Sequence, residues 1–309
     1  MIKLESVVRD ARSIELAKIA ENFDFITVFY AESNKELWSI AYNFSFFSNI
    51  KTIVYPEWDC DFYDNNSPSR HILTARINAL YKILQNKNKA VVLTTPKAIV
   101  PLTIPVEVLI KSAFSLKTEQ STDIDILSRM LTDLGYIRVD NALSYGDYAI
   151  RGDIIDIANI DNEIGHRIDI FGDKIEKIKH FSLASQISTG KIFDFIDILP
   201  VDEVIMSSQT LEVFKNKTND NKNSNYQSII NGVKIMNYVH YLPFFYKKPA
   251  SFFDFFNTKY QIVNTNQSHA TMANIANEIE ISYARTLKDV HGKYCYPEPC
   301  ITFTSHNRL

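Results

Sequence analysis

Glycine is scarce in this 309-residue chain, with eight in all and none before Gly135. That scarcity limits the chemistry. Phosphate cradles need glycine, because bare backbone N–H groups must approach the phosphates at φ values other residues resist. No Walker A loop, dinucleotide fingerprint or kinase glycine loop therefore lies in the first 134 residues, and no G-x-x-x-x-G-K-[ST] follows later. Cysteine is rarer still. Cys60, Cys295 and Cys300 are too few for a disulfide framework and read as free thiols. No run approaches the roughly 20 apolar residues of a membrane span. The opening MIKLESVVRDARSIEL lacks the apolar core of a signal peptide, so a cytoplasmic address is expected. G-x-S-x-G and H-E-x-x-H are also missing, which leaves no expected catalytic residue, metal or cofactor. Nor is there a basic footprint of the kind nucleic-acid binding uses: residues 114–198 carry nine Lys and Arg against fifteen Asp and Glu, and the flanks are near neutral.

What is present is an ordinary globular composition, 46% hydrophobic and 22% charged, in a chain long enough for two domains. In residues 1–113, Leu37, Ile40, Ala41 and Phe44 recur at helical spacing, as do Leu73, Ile77, Leu80, Tyr81 and Leu84. β-rich runs at Phe25–Ala31, Thr52–Tyr55 and Ala90–Thr95 alternate with them, which predicts βαβ units and a parallel sheet. Pro101 and Pro105 break that pattern, placing a boundary near residue 114. Residues 114–198 read as a small α+β domain. A helix over Asp123–Leu134, capped by Asp123 and ended by Gly135, precedes short strands at Tyr136–Asp140, Asp147–Arg151, Ile154–Ala158, Arg167–Phe171, Ile175–Phe181 and Phe193–Leu199. Residues 199–309 contain a polar stretch, 215–227, expected to be a mobile insertion. They also contain ordered signals at Lys234–Tyr238, Phe252–Phe256 and Gln261–Asn264, a predicted helix across Ala270–Leu287 and a frayed tail from Tyr294.

Some clusters invite a chemical reading and carry little. Asp59, Asp61 and Asp64 surround Trp58, and Asp153 and Asp156 sit near Arg151; paired acids can bind Mg²⁺ or move protons, but no nucleophile or phosphate site accompanies them. Cys295 and Cys300 with His291 and His306 are spaced too widely for a usual zinc knuckle. Tyr241, Tyr246, Lys247 and Lys248 could bind single-stranded DNA or could fill a core.

Strand parity is more informative. Alternate residues of a strand point to opposite faces. Ile168 and Ile170 then share the core side, and Arg167, Asp169 and Phe171 share the other; Arg151 falls with Asp147 and Ala149, opposite Tyr148 and Ile150. Arg151, Arg167 and Phe171 thus form a candidate exposed patch of residue types that dominate protein interfaces. The same parity also fits arginines that are solvated or paired with aspartates, with Phe171 covered by the other domain.

Several stretches, in order, resemble one family. They are Pro56-Glu57-Trp58-Asp59 with Tyr63-Asp64 and Ser67-Pro68, then Ala75-Arg76-Ile77 with Leu80-Tyr81, and Leu134-Gly135-Tyr136 with Arg138-Val139. Gly146-Asp147-Tyr148-Ala149, Arg151-Gly152, Ile154, Asp156-Ile157, Arg167-Ile168-Asp169, Phe171-Gly172-Asp173 and Tyr241-Leu242-Pro243 continue the series. Together they resemble the amino-terminal UvrB-like module of the bacterial transcription–repair coupling factors. That resemblance implies a split, degenerate P-loop-ATPase-like α/β domain without a Walker A loop, interrupted by an inserted small α+β domain that binds UvrA. It carries the family's UvrA contacts onto Arg151, Arg167 and Phe171. It also implies RNA polymerase and DNA as partners of a full-length member, through domains not found in this chain. The alternatives are a UvrB-type ATP-dependent DNA-clamping subunit and a non-functional remnant of a split coupling-factor gene. This sequence departs from the family at Asp153, where a second glycine is usual, at Ala158-Asn159 in a turn, and at Ile187, where an arginine is usual.

Overall fold

The computed structural model describes residues 2–4, 11–159, 163–218, 223–289 and 296–304. It divides into two compact units, one made of Met1–Val106 with Glu212–Leu309 and the other of Glu107–Leu211.

The first unit is built on a parallel sheet. Its strands are β1 (Ile2–Leu4), β2 (Ile26–Tyr30), β3 (Lys51–Val54), β4 (Ala90–Thr94) and, after the second unit in the chain, β13 (Tyr260–Thr265). Their order is β1-β13-β2-β4-β3, every pair parallel. The returning segment therefore supplies an inner strand, and neither piece of the unit completes the sheet alone. Every residue of β2 and β4 is buried, as expected for strands covered on both faces. On one face Phe29, Val91 and Leu93 pack with Leu16, Leu37, Ile40 and Phe44 from the helices Arg12–Glu21 and Asn34–Phe47. Arg76, inside the helix Arg70–Gln85, is fully buried. Its guanidinium donates to the carbonyls of Pro56 at 2.9 Å and Ala98 at 3.0 Å and to the Tyr55 hydroxyl, which satisfies a charge that would otherwise be expensive to bury.

The second unit is built on an antiparallel sheet. It contains β5 (Phe114–Lys117), β6 (Ile137–Arg138), β7 (Asp147–Arg151), β8 (Ile154–Ile157), β9 (Ile164–Phe171), β10 (Lys174–Ser182), β11 (Ser188–Phe193) and β12 (Phe195–Ile198). Six of them run in the order β11-β10-β9-β8-β7-β6, and β5 pairs with β12 in a separate ribbon. Only β6 is parallel to its neighbour. The run predicted as one strand from Phe193 to Leu199 is broken at Asp194, because the chain leaves the β10 edge there and joins β5. The helix Ile124–Asp133 lies over one face: Leu127 and Leu131 pack with Tyr148, Ile155, Ile157, Ile168, Ile170, Ile175 and Ile178. Asp123 caps it, Oδ1 accepting from the N–H groups of Asp125 at 2.8 Å and Ile126 at 3.0 Å. Gly135, at φ +90°, ends it.

The polar stretch 215–227 is helical at both described ends, in Ser208–Thr218 and Ser224–Ile230, while residues 219–222 lie outside the described residues. Composition hid the anchors: Lys217 donates to the carbonyls of Pro243, Tyr246 and Lys247, and Tyr226 is buried. Of the tail, expected to fray from Tyr294, residues 296–304 are described. Tyr296 and Phe303 are buried, and Phe303 bridges to Pro101; residues 290–295 and 305–309 lie outside the described residues.

Candidate docking face

The antiparallel sheet of the second unit turns its other face away from the helix. At one end of that face Ala149 and Phe181 pack with Ala142, Ala158 and Leu183. The rest carries Arg151, Asp156, Arg167, Asp169 and Lys179 beside Ile154 and Phe171. Register sets the arrangement: Ala149 of β7 opposes Asp156 of β8, Asp156 opposes Arg167 of β9, and Arg167 opposes Lys179 of β10. These four residues form one row across four strands.

Asp156 is the floor of the row, with no exposed surface. Arg167 grips it with two prongs, Nε to Oδ1 at 2.6 Å and Nη2 to Oδ2 at 2.8 Å. Arg151 Nη2 donates to the same Oδ2, and its Nη1 donates to Asn141 Oδ1 at 2.7 Å. One buried carboxylate is thus shared by two guanidinia, a group of formal charge +1. The bond to Asp156 is also the first reason the Arg167 guanidinium holds its proton more tightly than usual. Arg167 lies over the Phe181 ring, its Cζ 5.0 Å from the centroid, a cation–π contact. Phe181 lies flat there because residue 165 is glycine; a Cβ at that position would meet Ile157 O at 2.5 Å and Phe181 Cε1 at 2.7 Å. Further along, Lys179 Nζ meets Asp169 Oδ2 at 2.6 Å.

The arginines singled out by parity are therefore brought together, and they are paired with an aspartate, the alternative the sequence left open. Their exposures differ: the side chain of Arg151 is 39% exposed and that of Arg167 only 13%. Phe171 stands apart at the end of β9, before the turn at Gly172, and is 79% exposed, the most open large apolar side chain among the described residues. In the sequence Asp156 reads with Asp153 as an acid pair. Asp153 is exposed and separate, and the true partners of Asp156 are set by cross-strand register, which no local pattern reveals.

The other clusters offer less. Asp59, Asp61 and Asp64 line a cavity of about 300 Å³ together with Glu57, Lys97 and Glu278, but Asp59 accepts the Ser69 N–H at 2.8 Å and Lys97 pairs with Glu278. The Cys60 thiol beside them is pushed up to about 12 by burial and then by the neighbouring carboxylates, which makes it a poor nucleophile. No group of three or more His, Cys, Asp or Glu among the described residues could hold a metal ion. Cys300 is exposed, and Cys295, His291 and His306 lie outside the described residues. Tyr241 and Tyr246 are buried, so they are not free to stack on DNA bases. No helix among the described residues is long and apolar enough to cross a membrane.

Comparison with known proteins bears on this face. Residues 114–203 match the family model described as the UvrB interaction domain. Most of the sequence is similar to proteins named transcription-repair-coupling factor. It is 30% identical to that of Rickettsia prowazekii over 85% of this chain and 23% of the relative. For Rickettsia typhi the figures are 31%, 76% and 21%, and for Escherichia coli they are 25%, 81% and 22%. The chain thus spans less than a quarter of the length of the curated relatives it matches.

Proposed function

We propose that this chain, which resembles the amino-terminal UvrB-like module of the transcription-repair-coupling factors, is a non-catalytic docking module that recruits UvrA in transcription-coupled nucleotide excision repair. The segment 114–198 is the docking domain in this reading. Arg151, Arg167 and Phe171 are the contact residues. The observation that carries it is the face just described: an exposed phenylalanine on the strand whose arginine shares a fixed, net-cationic group with a second arginine. Interface energy concentrates in few residues, and arginine and aromatic side chains are prominent among them. RNA polymerase and DNA are partners of a full-length member in this reading, and the setting is the cytoplasm.

The parallel-sheet unit is, in the same reading, a P-loop-ATPase-like fold without its phosphate loop. Parallel α/β folds bind nucleotides at the carboxyl ends of their strands. Here Glu32, just after β2, and Glu36, in the first turn of the following helix, pair with Arg12, and Thr265 at the end of β13 donates to Glu32 at 3.1 Å. Carboxylates there disfavour phosphate.

Calorimetric titration of UvrA onto the chain tests the reading. Wild type binds without ATP, and Arg167→Ala loses about 2 kcal/mol or more of that binding. A folded wild-type chain that does not bind UvrA, or one that binds ATP saturably, sinks it; ATP binding would favour a UvrB-type clamping subunit instead.

A further inference from the structure

The two arginines of the docking face differ in exposure but share one anchor. Each guanidinium has a private contact, Arg151 with Asn141 and Arg167 with the Phe181 ring. Their only common partner among the described hydrogen bonds is Asp156, whose Oδ2 accepts from both. A carboxylate with no exposed surface is costly to bury unless it is paired and hydrogen-bonded. The fold pays that cost at the centre of the face rather than placing an apolar residue there. Two guanidinia on one face would repel each other and sample many rotamers; a shared carboxylate cancels one charge and fixes both forks.

We propose that Asp156 is the positioning residue of this face: its buried carboxylate sets Arg151 and Arg167 in one fixed pair before UvrA arrives. This rests on the docking reading above. It goes beyond that reading by assigning a role to a residue that touches no partner, and by making the two arginines a single unit. A partner meeting a preset pair does not lose the freedom of two long side chains on binding, which is how preorganisation raises affinity. Arg167, gripped by two prongs and largely covered, supplies the rigidity. Arg151, more open, offers the reachable N–H groups. Neither arginine is independent, because removing one leaves the other as the sole cation on a buried carboxylate.

The test uses the full chain with Asp156→Asn, which keeps the shape and removes the charge. In the free protein, the rates of phenylglyoxal modification of Arg151 and Arg167 are read by mass spectrometry. Both rise about tenfold in Asp156→Asn, as expected when charge-assisted hydrogen bonds are lost. Exposed Arg129 keeps its rate, and the Ile168 amide keeps its exchange protection, which separates loosened side chains from a melted sheet. In UvrA titrations Asp156→Asn binds about tenfold more weakly. Arg151→Ala and Arg167→Ala are non-additive in the wild-type background and additive in Asp156→Asn. Unchanged modification rates overturn the positioning role. Freed arginines with unchanged affinity overturn its purpose. A wild-type chain that does not bind UvrA removes the docking reading and the purpose with it, while the modification rates still decide whether Asp156 holds the pair.

Discussion

The two large sheets of this protein bury their residues in opposite ways. In the first unit β2 and β4 are covered on both faces and read as nearly unbroken apolar runs, Ile26–Tyr30 and Ala90–Thr94. In the second unit β9 and β10 alternate, because a helix covers one face only. A doubly covered sheet has no face to offer a partner; its only open chemistry is at strand ends. A sheet covered once keeps a second face, and here that face holds the charged row from Ala149 to Lys179. The difference follows from connectivity, since parallel strands need crossover helices that cover both sides and antiparallel strands need only turns.

The harshest way to break this contrast is to change the charge at one position in each sheet. Val92, in β4, has no exposed surface and no polar neighbour in its strand register, where it opposes Val28 and Ile53. Val92→Asp buries an unpaired carboxylate and is expected to cost more than about 4 kcal/mol, enough to unfold the first unit. Lys177→Thr, at an exposed position of β10, is expected to change stability by no more than about 0.5 kcal/mol. Urea unfolding followed by hydrogen exchange in each sheet measures both. Similar losses at the two sites would mean that the sheets are not buried differently.

Acid offers a middle-sized test, because each unit buries one histidine among the described residues. Burial holds both His166 and His240 down to about 3; at His166 the nearby His180 and Lys191 add to the effect. His166 Nδ1 lies 2.7 Å from Asn159 Oδ1, and His240 Nε2 accepts the Tyr63 N–H at 3.2 Å. The unfolded chain takes up protons near pH 6.5 that these folded sites refuse until about pH 3. Their contribution is therefore complete above pH 6.5 and lost as pH falls from there toward 3. Between pH 7 and pH 5 the loss is about 2 kcal/mol per histidine. His166→Gln should remove that loss from the second unit alone, and His240→Gln from the first. An acid slope that neither substitution alters would mean that carboxylates, not histidines, set it.

How much of this was legible in the sequence depends on the range of each interaction. The period-two pattern of β9 placed Ile168 and Ile170 inside and Phe171 outside, because alternation is local and the covering helix is nearby in sequence. The missing glycines before Gly135 likewise excluded phosphate loops outright. Asp156 was visible as an acid near Arg151, yet its pairing with Arg167 depends on the register of β8 against β9. Register is fixed by the whole hydrophobic set of both strands, not by any pair. Arg76 sat in a helical repeat as a charge and proved to be fully buried, since its acceptors come from Pro56 and Ala98 in other segments. The helical ends of the stretch 215–227 were hidden for a related reason: a polar composition says nothing about where a single Tyr226 or Lys217 will find its partners.

The smallest effect separates the two units by their helix caps. Asp123 accepts two N–H groups, at 2.8 and 3.0 Å, and places a negative charge at the positive end of the helix that covers the closed face. In the first unit Ser33 accepts only the Glu36 N–H, at 3.3 Å, and Ser69 only that of Ile72, at 3.4 Å. Longer single bonds to a neutral hydroxyl hold less. Asp123→Ala should therefore cost about 1 kcal/mol, and Ser33→Ala about half of that, in thermal unfolding of the intact chain. Asp123→Ala should leave UvrA affinity unchanged, because its helix lies on the face opposite Arg151 and Arg167. Weaker UvrA binding by Asp123→Ala at a temperature where the chain is fully folded would mean that the covered face takes part in docking. The division of labour between the two faces would then fail, even with the sheet intact.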